Sequence, residues 1–266
     1  MGSAYWRMAH LRDDRPPWIL EDRIAARLLT PEDVAELEAP LEGWNPQVIA
    51  GFRLQHAVRA RVAEDIAVAG LGVGRTDYAI LGAGGDSFAW RHPQASQFTV
   101  WEYDLPATQA WKRRAISDAG LGEPSNVRFV PIDLSATRLD TVEVPSQATW
   151  SWMGVTMYLS PQDTSAVLDV IADTGTGTTL VVNFVLSPEE CDESGLVAAA
   201  CAASLVSSVG EPVVGTYGRS DVDAVLRAAG FNNVELLDAV ELSQRYLRSG
   251  GDRRFPDSTV IAVAVV

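Results

Sequence analysis

The sequence predicts an α/β fold in which a mostly parallel, seven-stranded sheet carries helices on both faces and ends in an antiparallel last strand. Short apolar runs of strand length alternate with amphipathic helical segments along most of the 266 residues. A glycine turn, residues 82–85, follows the first of these runs, as in parallel sheets that bind a cofactor. The last run, TVIAVAVV (259–266), is apolar throughout, which indicates an interior strand.

Composition and charge set broad limits. The length and a hydrophobic content of 47% fit one large globular domain, or one domain with an insertion. The net charge of −14 argues against nucleic acid and against anionic membrane surfaces as partners. No apolar run is long enough to span a bilayer, and no metal-binding pattern surrounds Cys191 or Cys201. We expect a cytoplasmic protein without a metal site that acts on a small molecule; a homodimer stays open.

Residues 1–52 precede the first strand and are expected to form a helical cap on a core that spans residues 53–266. Apolar side chains recur at helical spacing in 21–29, and Thr30 followed by a proline is a typical helix start. The dipeptide at 45–46, Asn-Pro, is expected to interrupt this segment. Such an extension either covers a ligand site or only packs on the core, and the residues do not decide between the two.

Residues 54–71 predict an amphipathic helix before the first strand. Arg61 on this helix has two interpretations. Its guanidinium can hold a ligand carboxylate through a two-pronged salt bridge, or it can pair with Asp65 on the helix surface. The residues alone favour the surface pair.

The stretch YAILGAGGDSFAWR (78–91) predicts a buried strand (77–81), a glycine turn and a helix (87–91), which is the layout of a Rossmann-like cofactor loop. Glycine has no Cβ, so the backbone can approach a ligand closely. Ser87 replaces the third glycine of the dinucleotide pattern, and Asp86 lies where a pyrophosphate would pack. A carboxylate is a poor neighbour for a diphosphate and a good one for a cation. The loop therefore favours S-adenosylmethionine, which carries a sulfonium and an ammonium, over NAD.

Acidic residues follow the next two predicted strands, 98–104 and 127–132. Asp104 lies at the carboxyl end of its strand, about twenty residues after the glycines, where such folds hold a ribose. Asp133 can accept a hydrogen bond from an adenine amino group, while the next backbone N–H donates to the ring. Capping of the following segment by Asp133 is an equal alternative.

The alternation of strands and helices continues and then fails. Strands are predicted at 148–153 and 178–186, and Ser160 caps the helix between them. Residues 187–218 do not follow the alternation. A small-residue helix within this insertion is either a lid beside a substrate pocket or an ordinary helix that covers the sheet.

The C-terminal part completes the predicted sheet. A helix at 219–229 precedes strands at 233–238 and 259–266. The connection between these two strands is expected to be a loop that carries Arg245 and Tyr246.

Five segments together resemble the leucine carboxyl methyltransferase-like family, in particular its bacterial branch, among the class I S-adenosylmethionine-dependent methyltransferases. They are ARVAEDIAVAG (60–70), LGAGGDSFAWR (81–91), WEYDLPATQAWKRR (101–114), FVPIDL (129–134) and SWMGVTMYLSP (151–161). A weaker similarity in GFNNVELL and in RYL (245–247) extends the resemblance towards the end of the chain.

The resemblance implies cofactor contacts along the predicted sheet edge. Arg61 would hold the methionine carboxylate, which reverses the preference from the residues alone. Asp104 would hold the ribose, and Asp133 the adenine. The cofactor-binding set that we expect is Arg61, Gly82, Ala83, Gly84, Asp86, Asp104, Leu105, Asp133, Leu134, Trp152 and Met153.

One position departs from the family pattern. Members that methylate a protein phosphatase carry a glutamate where this chain has Met153. Here the cofactor ammonium is expected to rely on backbone carbonyls near Gly82 and Trp152, or on Asp86.

The expected activity is methylation of a carboxylate oxygen on a small metabolite, for example a natural-product acid of secondary metabolism. A carboxylate is already nucleophilic and needs a hydroxyl or a cation to orient it, and no histidine or lysine takes a matching position. The candidates for this role are Tyr158, Tyr217, Arg245 and Tyr246. The alternatives are a hydroxyl or carbon acceptor, a cofactor-binding protein without turnover and, more distantly, an NAD oxidoreductase.

Overall fold

The computed structural model describes residues 1–208, 210, 213–247 and 254–266. The strands are β1 (Asp77–Leu81), β2 (Thr99–Asp104), β3 (Val127–Pro131), β4 (Thr149–Trp152), β5 (Thr179–Val185), β6 (Asn233–Leu237) and β7 (Thr259–Val265). They form one sheet in the order β3-β2-β1-β4-β5-β7-β6. Each strand end lies within one residue of its predicted position.

The pairing confirms the predicted fold class. β1 pairs in parallel with β2 and β4, β2 with β3, and β4 with β5. β7 lies antiparallel between β5 and β6. Because β1, β2 and β4 are parallel neighbours, their carboxyl ends meet at one edge of the sheet, where open α/β folds bind ligands.

Helices pack on both faces of the sheet. In the described residues they are α1 (Gly2–Asp13), α2 (Pro31–Glu38), α3 (Pro46–Leu71), α4 (Phe88–Arg91), α5 (Pro106–Asp118), α6 (Pro161–Asp173), α7 (Glu193–Ser208), α8 (Arg219–Ala228) and α9 (Ala239–Tyr246). One face packs on α6 and α8 through a core that includes Trp150 and Trp152, and the other packs on α3 and α9. Among the described helices, none combines the length and the apolar character that a bilayer span requires.

The N-terminal region differs from the prediction at residues 21–29. This segment contains only one 3-10 turn, Ala25–Arg27, and the first helix, α1, lies earlier. The physical reason is Asp22, which turns inward to buried partners instead of extending a helix. The helix start at Thr30 is confirmed, since Thr30 and Asp33 form a reciprocal capping box at the start of α2.

The second difference concerns the dipeptide at 45–46, which begins α3 instead of interrupting the chain. Asn45 Oδ1 accepts a hydrogen bond from the Gln47 N–H at 2.8 Å. Proline is tolerated at the first helical position because its missing N–H would have no partner there. α3 therefore runs without a break across the predicted boundary at residue 52.

The prediction that Arg245 and Tyr246 lie in a loop is wrong, since both belong to α9. Asp238 caps this helix by accepting hydrogen bonds from the N–H groups of Val240 and Glu241 at 2.8 and 2.9 Å. The local signal was an Asp followed three residues later by a Glu, which is a capping box.

The N-terminal segment and the insertion share one apolar cluster. Trp6 of α1 and Phe52 of α3 are buried in it, and Cys201 and Ala202 of α7 pack against them. The predicted lid, 187–218, thus contains one helix that covers the N-terminal segment. Residues 209, 211 and 212 of this range lie outside the described residues.

Candidate active site

The glycine turn after β1 is tied to the end of β2. The N–H groups of Gly82 and Ala83 both donate to the carbonyl oxygen of Tyr103, at 2.8 and 3.2 Å. Gly82 has a φ of +65°, and a methyl group there would collide with Val155, so this position requires glycine. A methyl group at Gly84 would meet, within 4 Å and among the described residues, only the carbonyl oxygen of Gly82 at 3.9 Å. The outer side of Gly84 is therefore open to a ligand.

Asp104 joins the ends of β1 and β2. Its Oδ2 accepts a hydrogen bond from the Gly84 N–H at 2.5 Å, and its Oδ1 accepts one from the Leu105 N–H at 2.7 Å. An ionised carboxylate offers about four acceptor positions, so each oxygen keeps capacity for a ligand hydroxyl. The carboxylate is half-buried at the predicted ribose position.

Asp133 lies beyond β3, next to β2, and caps the turn that follows. Its Oδ1 accepts hydrogen bonds from the Ser135 hydroxyl at 2.6 Å and the Ser135 N–H at 2.9 Å, which lower the pKa of Asp133. The Ala136 N–H also lowers this pKa. Leu105, the residue that follows β2, is 44% exposed, while Leu134 is half-buried. Asp133 therefore caps the turn, as the alternative interpretation predicted.

The turn after β4 is held from β5 by Asn183, which sequence analysis missed. The Gly154 N–H donates to Asn183 Oδ1 at 2.5 Å, and the Thr156 hydroxyl donates to the Asn183 carbonyl oxygen at 2.8 Å. Asn183 is 1% exposed. A lone amide inside the apolar strand TLVVNFV was the signal that could have identified it.

Arg59 of α3 reaches this turn. A methyl group at Gly154 would lie 3.4 Å from Arg59 Nη1. Burial lowers the pKa of Arg59 to about 10, with Tyr158 opposing the shift and Arg7 adding to it. No described carboxylate forms an ion pair with this guanidinium. Arg59 thus places an unmatched positive charge at the carboxyl edge of the sheet.

Arg61 is bound by its own helix and by the N-terminal segment. Its Nε donates to Asp65 Oδ1 at 2.8 Å, and its Nη1 donates to the Ile19 carbonyl oxygen at 3.2 Å. The helix-surface pair that the residues alone favoured is therefore present. Tyr246 donates to the second oxygen of Asp65 at 3.1 Å, and Arg245 pairs with a glutamate of β6 at 2.5 Å.

These residues line an open cleft on the outer side of α3 and α9. The cleft has a volume of about 420 Å³ and is bordered by Pro17, Trp18, Ile19, Arg61, Asp65, Arg245 and Tyr246. Three predicted site residues, Arg61, Arg245 and Tyr246, therefore line one cleft together.

The two other candidate tyrosines differ in burial. Tyr158 ends a 3-10 turn after β4, is half-buried and interacts electrostatically with Arg59. Tyr217 is 7% exposed and contacts Phe184 edge to face, with ring centroids 4.9 Å apart. Its hydroxyl has no hydrogen-bond partner among the described residues. Tyr158 is the one that lies beside the unmatched arginine.

The residues proposed for the cofactor ammonium are placed as follows. Asp86 Oδ1 accepts a hydrogen bond at 2.8 Å from the N–H of Phe88, the first residue of α4. The side chain of Trp152 is fully buried in the core, so only its backbone can contribute to a ligand site. Met153 packs partly against the apolar cluster under α3.

His56 of α3 was not predicted as a site residue. Its Nδ1 lies 2.8 Å from the carbonyl oxygen of Phe52, and because a carbonyl only accepts, Nδ1 carries the proton and Nε2 has a lone pair. The ring stacks on Trp6, with centroids 5.9 Å apart. Burial lowers the pKa of His56 well below its usual value, and the charge of Arg59 adds to this effect. His56 is therefore a neutral imidazole near Arg59.

Comparisons with known proteins identify the family of this chain. A family model described as leucine carboxyl methyltransferase matches residues 1–172. A protein of Bacillus subtilis strain 168 is 24% identical over 283 residues, which cover 94% of this chain and 91% of the relative. A protein of Mycobacterium tuberculosis strain H37Rv is 28% identical over 229 residues, which cover 83% and 72%. Both bear the name "Putative S-adenosyl-L-methionine-dependent methyltransferase".

Solved structures share the fold at low sequence identity. A DUF574 family protein of Streptomyces avermitilis has a TM-score of 0.61 and 14% identity, and the match covers 100% of this chain and 97% of that one. A "putative O-methyltransferase" of Nostoc punctiforme has a TM-score of 0.53 and 13% identity. The match covers 83% of this chain and spans only 60% of that longer protein.

Proposed function

The chain belongs to the leucine carboxyl methyltransferase family, and on this basis we propose that it methylates a carboxylate oxygen of a small acid. S-adenosylmethionine is the methyl donor. The observation that carries the cofactor site of this proposal is the contact between Asp104 and the Gly84 N–H, which joins an acid and an open stretch of backbone at the cofactor edge of the sheet.

The residues at the sheet edge fit this cofactor. Asp104 keeps acceptor capacity for the ribose hydroxyls, and the open side of Gly84 admits the methionine portion. Arg59 supplies the positive charge that a methionine carboxylate requires, so we assign this contact to Arg59 instead of Arg61. The carboxylate of Asp133 offers about four acceptor positions, so it can also accept from the adenine amino group.

We assign the cofactor ammonium to backbone carbonyl oxygens near Gly82 and Trp152. Met153 has no charge to offer, and the hydrogen bond from the Phe88 N–H directs the Asp86 carboxylate to the start of α4. Carbonyl oxygens at the end of a strand are strong acceptors that need partners, so they suit a cation without adding a net charge.

The protein's part in the reaction is alignment and the exclusion of water. The bound cofactor supplies an electrophilic methyl group on a sulfonium. A carboxylate acceptor attacks without a general base, so the residues around it only need to hold one oxygen in line with the methyl carbon. We assign this role to Tyr158, whose hydroxyl can donate to one carboxylate oxygen while the other stays nucleophilic. α1 and α7 cover the region, which favours a dry site.

A hydroxyl acceptor is the second candidate, and His56 favours it. A hydroxyl must lose its proton as it attacks, and a neutral imidazole with a fixed tautomer is a suitable base. The Phe52 carbonyl fixes the tautomer that leaves Nε2 unprotonated. In this case His56 accepts the proton of the acceptor, and Tyr158 helps to orient the acceptor oxygen.

Calorimetric titration with S-adenosylmethionine and S-adenosylhomocysteine tests the cofactor assignment. We expect micromolar binding, and Asp104→Ala should weaken it by about 100-fold or more, because it loses hydrogen bonds to a charged acceptor. Asp223→Ala is the matched control, since it removes an exposed carboxylate on α8. Equal affinity in Asp104→Ala and Asp223→Ala would contradict the proposed site.

The chemical stability of the product distinguishes the two acceptors. Methyl-labelled cofactor is incubated with a panel of monocarboxylic acids and phenols. A methyl ester releases its label as methanol in mild alkali, whereas a methyl ether does not. Alkali-labile product supports carboxylate methylation, and alkali-stable product that is lost in His56→Gln supports the hydroxyl acceptor. The absence of any labelled product despite cofactor binding would argue for a binding protein without turnover.

A further inference from the structure

Four charged side chains, three of them buried and the fourth largely so, lie beneath the glycine turn, and the proposed reaction uses none of them. They are Arg7 of α1, Asp22 in the following turn, Glu64 of α3 and Arg91 of α4. Asp22 is the centre of this cluster, with an exposure of 0%. It accepts hydrogen bonds from Arg7 Nε at 2.8 Å, the Ser87 hydroxyl at 2.7 Å and the Ala25 N–H at 2.9 Å.

Arg7 connects the cluster to the glycine turn. Its Nη2 donates to the carbonyl oxygen of Gly85 at 2.6 Å, while its Nε is held by Asp22. A methyl group at Gly85 would lie only 3.0 Å from the Cβ of Ala4. α1 therefore touches the turn through a methyl group and through a guanidinium, one residue after Gly84.

Asp22 holds the other end of the same turn. It binds Ser87, the residue that replaces the third glycine of the dinucleotide pattern, and it lies 3.6 Å from Arg91 Nε. Arg91 in turn pairs with Glu64 of α3. The serine at position 87 is thus explained by its buried carboxylate partner.

The charges of this cluster make the undocking of α1 energetically unfavourable. Burial alone would raise the pKa of Asp22, but the charges of Arg7 and Arg91 hold it below its usual value. Undocking of α1 would remove Arg7 and leave an ionised, buried carboxylate with less compensation, which is strongly unfavourable. Opening of the N-terminal segment must therefore disturb the turn to which Asp22 is bound.

We propose that Arg7 and Asp22 are positioning residues that couple the docking of α1 to cofactor binding at the glycine turn. The inference rests on the cofactor site proposed above. Docked α1 holds Gly85 and Ser87 in the conformation that presents Gly84 to the cofactor. Because such coupling is reciprocal, the bound cofactor also holds α1 in its docked position.

Hydrogen exchange of the α1 amides, with and without saturating S-adenosylhomocysteine, measures this coupling. In the wild-type protein we expect the ligand to slow exchange in α1 by about tenfold or more. In Arg7→Gln and Asp22→Asn this slowing should be lost, and the dissociation constant should rise about tenfold. Ser87→Ala is a milder change that keeps the Arg7–Asp22 pair, and it should raise the dissociation constant about threefold.

Asp14 offers a matched control on the same segment. It docks α1 to α3 through two hydrogen bonds from Arg53, both 3.0 Å long, and it also binds His10. None of these contacts reaches the glycine turn. Asp14→Asn should therefore speed exchange in α1, yet retain both the slowing by S-adenosylhomocysteine and an affinity close to the wild type.

The outcomes separate the coupling from the cofactor assignment. Slowing that persists in Asp22→Asn, or that is absent from the wild type although the ligand binds, would overturn the coupling. Equal loss of slowing in Asp14→Asn would overturn the role of the Arg7–Asp22 pair, since docking alone would then suffice. If the ligand does not bind the wild type, the cofactor assignment fails. Should Asp22→Asn not fold, as judged by its thermal transition, Ser87→Ala decides.

Discussion

Two arginines of α3, Arg59 and Arg61, differ in exposure and in ion pairing. Arg59 is half-buried beside Gly154 and forms no ion pair with a described carboxylate. Arg61 is 44% exposed in its side chain and pairs with Asp65 at 2.8 Å. Two positions along an α-helix rotate the side chain by about 200°, so the two guanidiniums face opposite sides of α3.

The difference indicates that a ligand site is marked by a charged side chain without an oppositely charged partner, and not by the residue type alone. An exposed pair gains little free energy and forms wherever the helix spacing allows it. A buried charge without a partner is unfavourable, and such a group persists where a ligand supplies the missing charge. Similarity to a family identifies the helix that carries the arginine, whereas burial identifies which arginine it is.

A buried ion pair extends the comparison, and breaking it should give the largest effect on stability. Lys112 Nζ lies 2.5 Å from Glu102 Oε2, and each side chain is 1% exposed. Lys112→Met leaves the carboxylate without its cation, so urea unfolding at pH 8 should show a loss of about 3 kcal/mol. The double variant with Glu102→Gln should recover most of this loss. If it does not, packing of the lysine stem and not its charge stabilises the fold.

The pH dependence of stability follows from the same carboxyl group. Burial raises the pKa of Glu102 to about 7 despite the opposing charge of Lys112, and burial raises the pKa of Glu64 to about 7 as well. The folded protein therefore keeps protons that the unfolded chain releases near pH 4.5. Since the folded state binds more protons between these values, the free energy of unfolding should fall as the pH rises from about 5 to 7. In Glu102→Gln, urea titrations should show about half of this fall; an unchanged slope would contradict the assignment.

Arg59→Met should separate affinity from stability. Loss of a charged contact to the methionine carboxylate is expected to weaken S-adenosylhomocysteine binding about 30-fold, or about 2 kcal/mol. The same change removes a half-buried charge that forms no ion pair with a described carboxylate, so the melting temperature of the ligand-free protein should stay the same or rise. Calorimetric titration and thermal unfolding measure the two quantities. A drop in both would indicate that Arg59 serves the fold and not the cofactor.

The features that sequence analysis predicted are local in the chain. Strand β1, its glycine turn and the acid after β2 follow one another within about thirty residues, and their order alone indicates a cofactor edge. The charge partners are not local, because Ser87 binds Asp22 across 65 residues and Gly154 binds Asn183 across 29. Whether a polar side chain is buried, and what it meets, depends on packing that no single stretch contains.

Tyr246→Phe tests whether the cleft on the flank of α3 contributes to the reaction. The variant loses one hydrogen bond to Asp65, so we expect a stability loss of about 1 kcal/mol. Burial, together with Asp65, raises the pKa of Tyr246 to about 12, so the hydroxyl stays protonated and cannot act as a base near neutral pH. Turnover and cofactor affinity should remain within about twofold of the wild type. Arg245→Ala, which removes an exposed neighbour, is the companion variant for the same assays. A tenfold loss of turnover in either variant would indicate that the cleft binds the acceptor.

Arg61→Met should have the smallest effect. Together with Arg59→Met, it decides which of the two arginines binds the cofactor. Its i,i+4 pair with Asp65 is exposed, so the expected stability loss is about 0.3 kcal/mol, and the affinity for S-adenosylhomocysteine should not change. Arg227→Met is the matched control, because Arg227 forms a pair of the same spacing and length with Asp223 on α8. Both variants should bind the ligand as the wild type does. A tenfold weaker affinity in Arg61→Met, with Arg59→Met unaffected, would show that the family resemblance identified the correct arginine and that burial and charge matching did not.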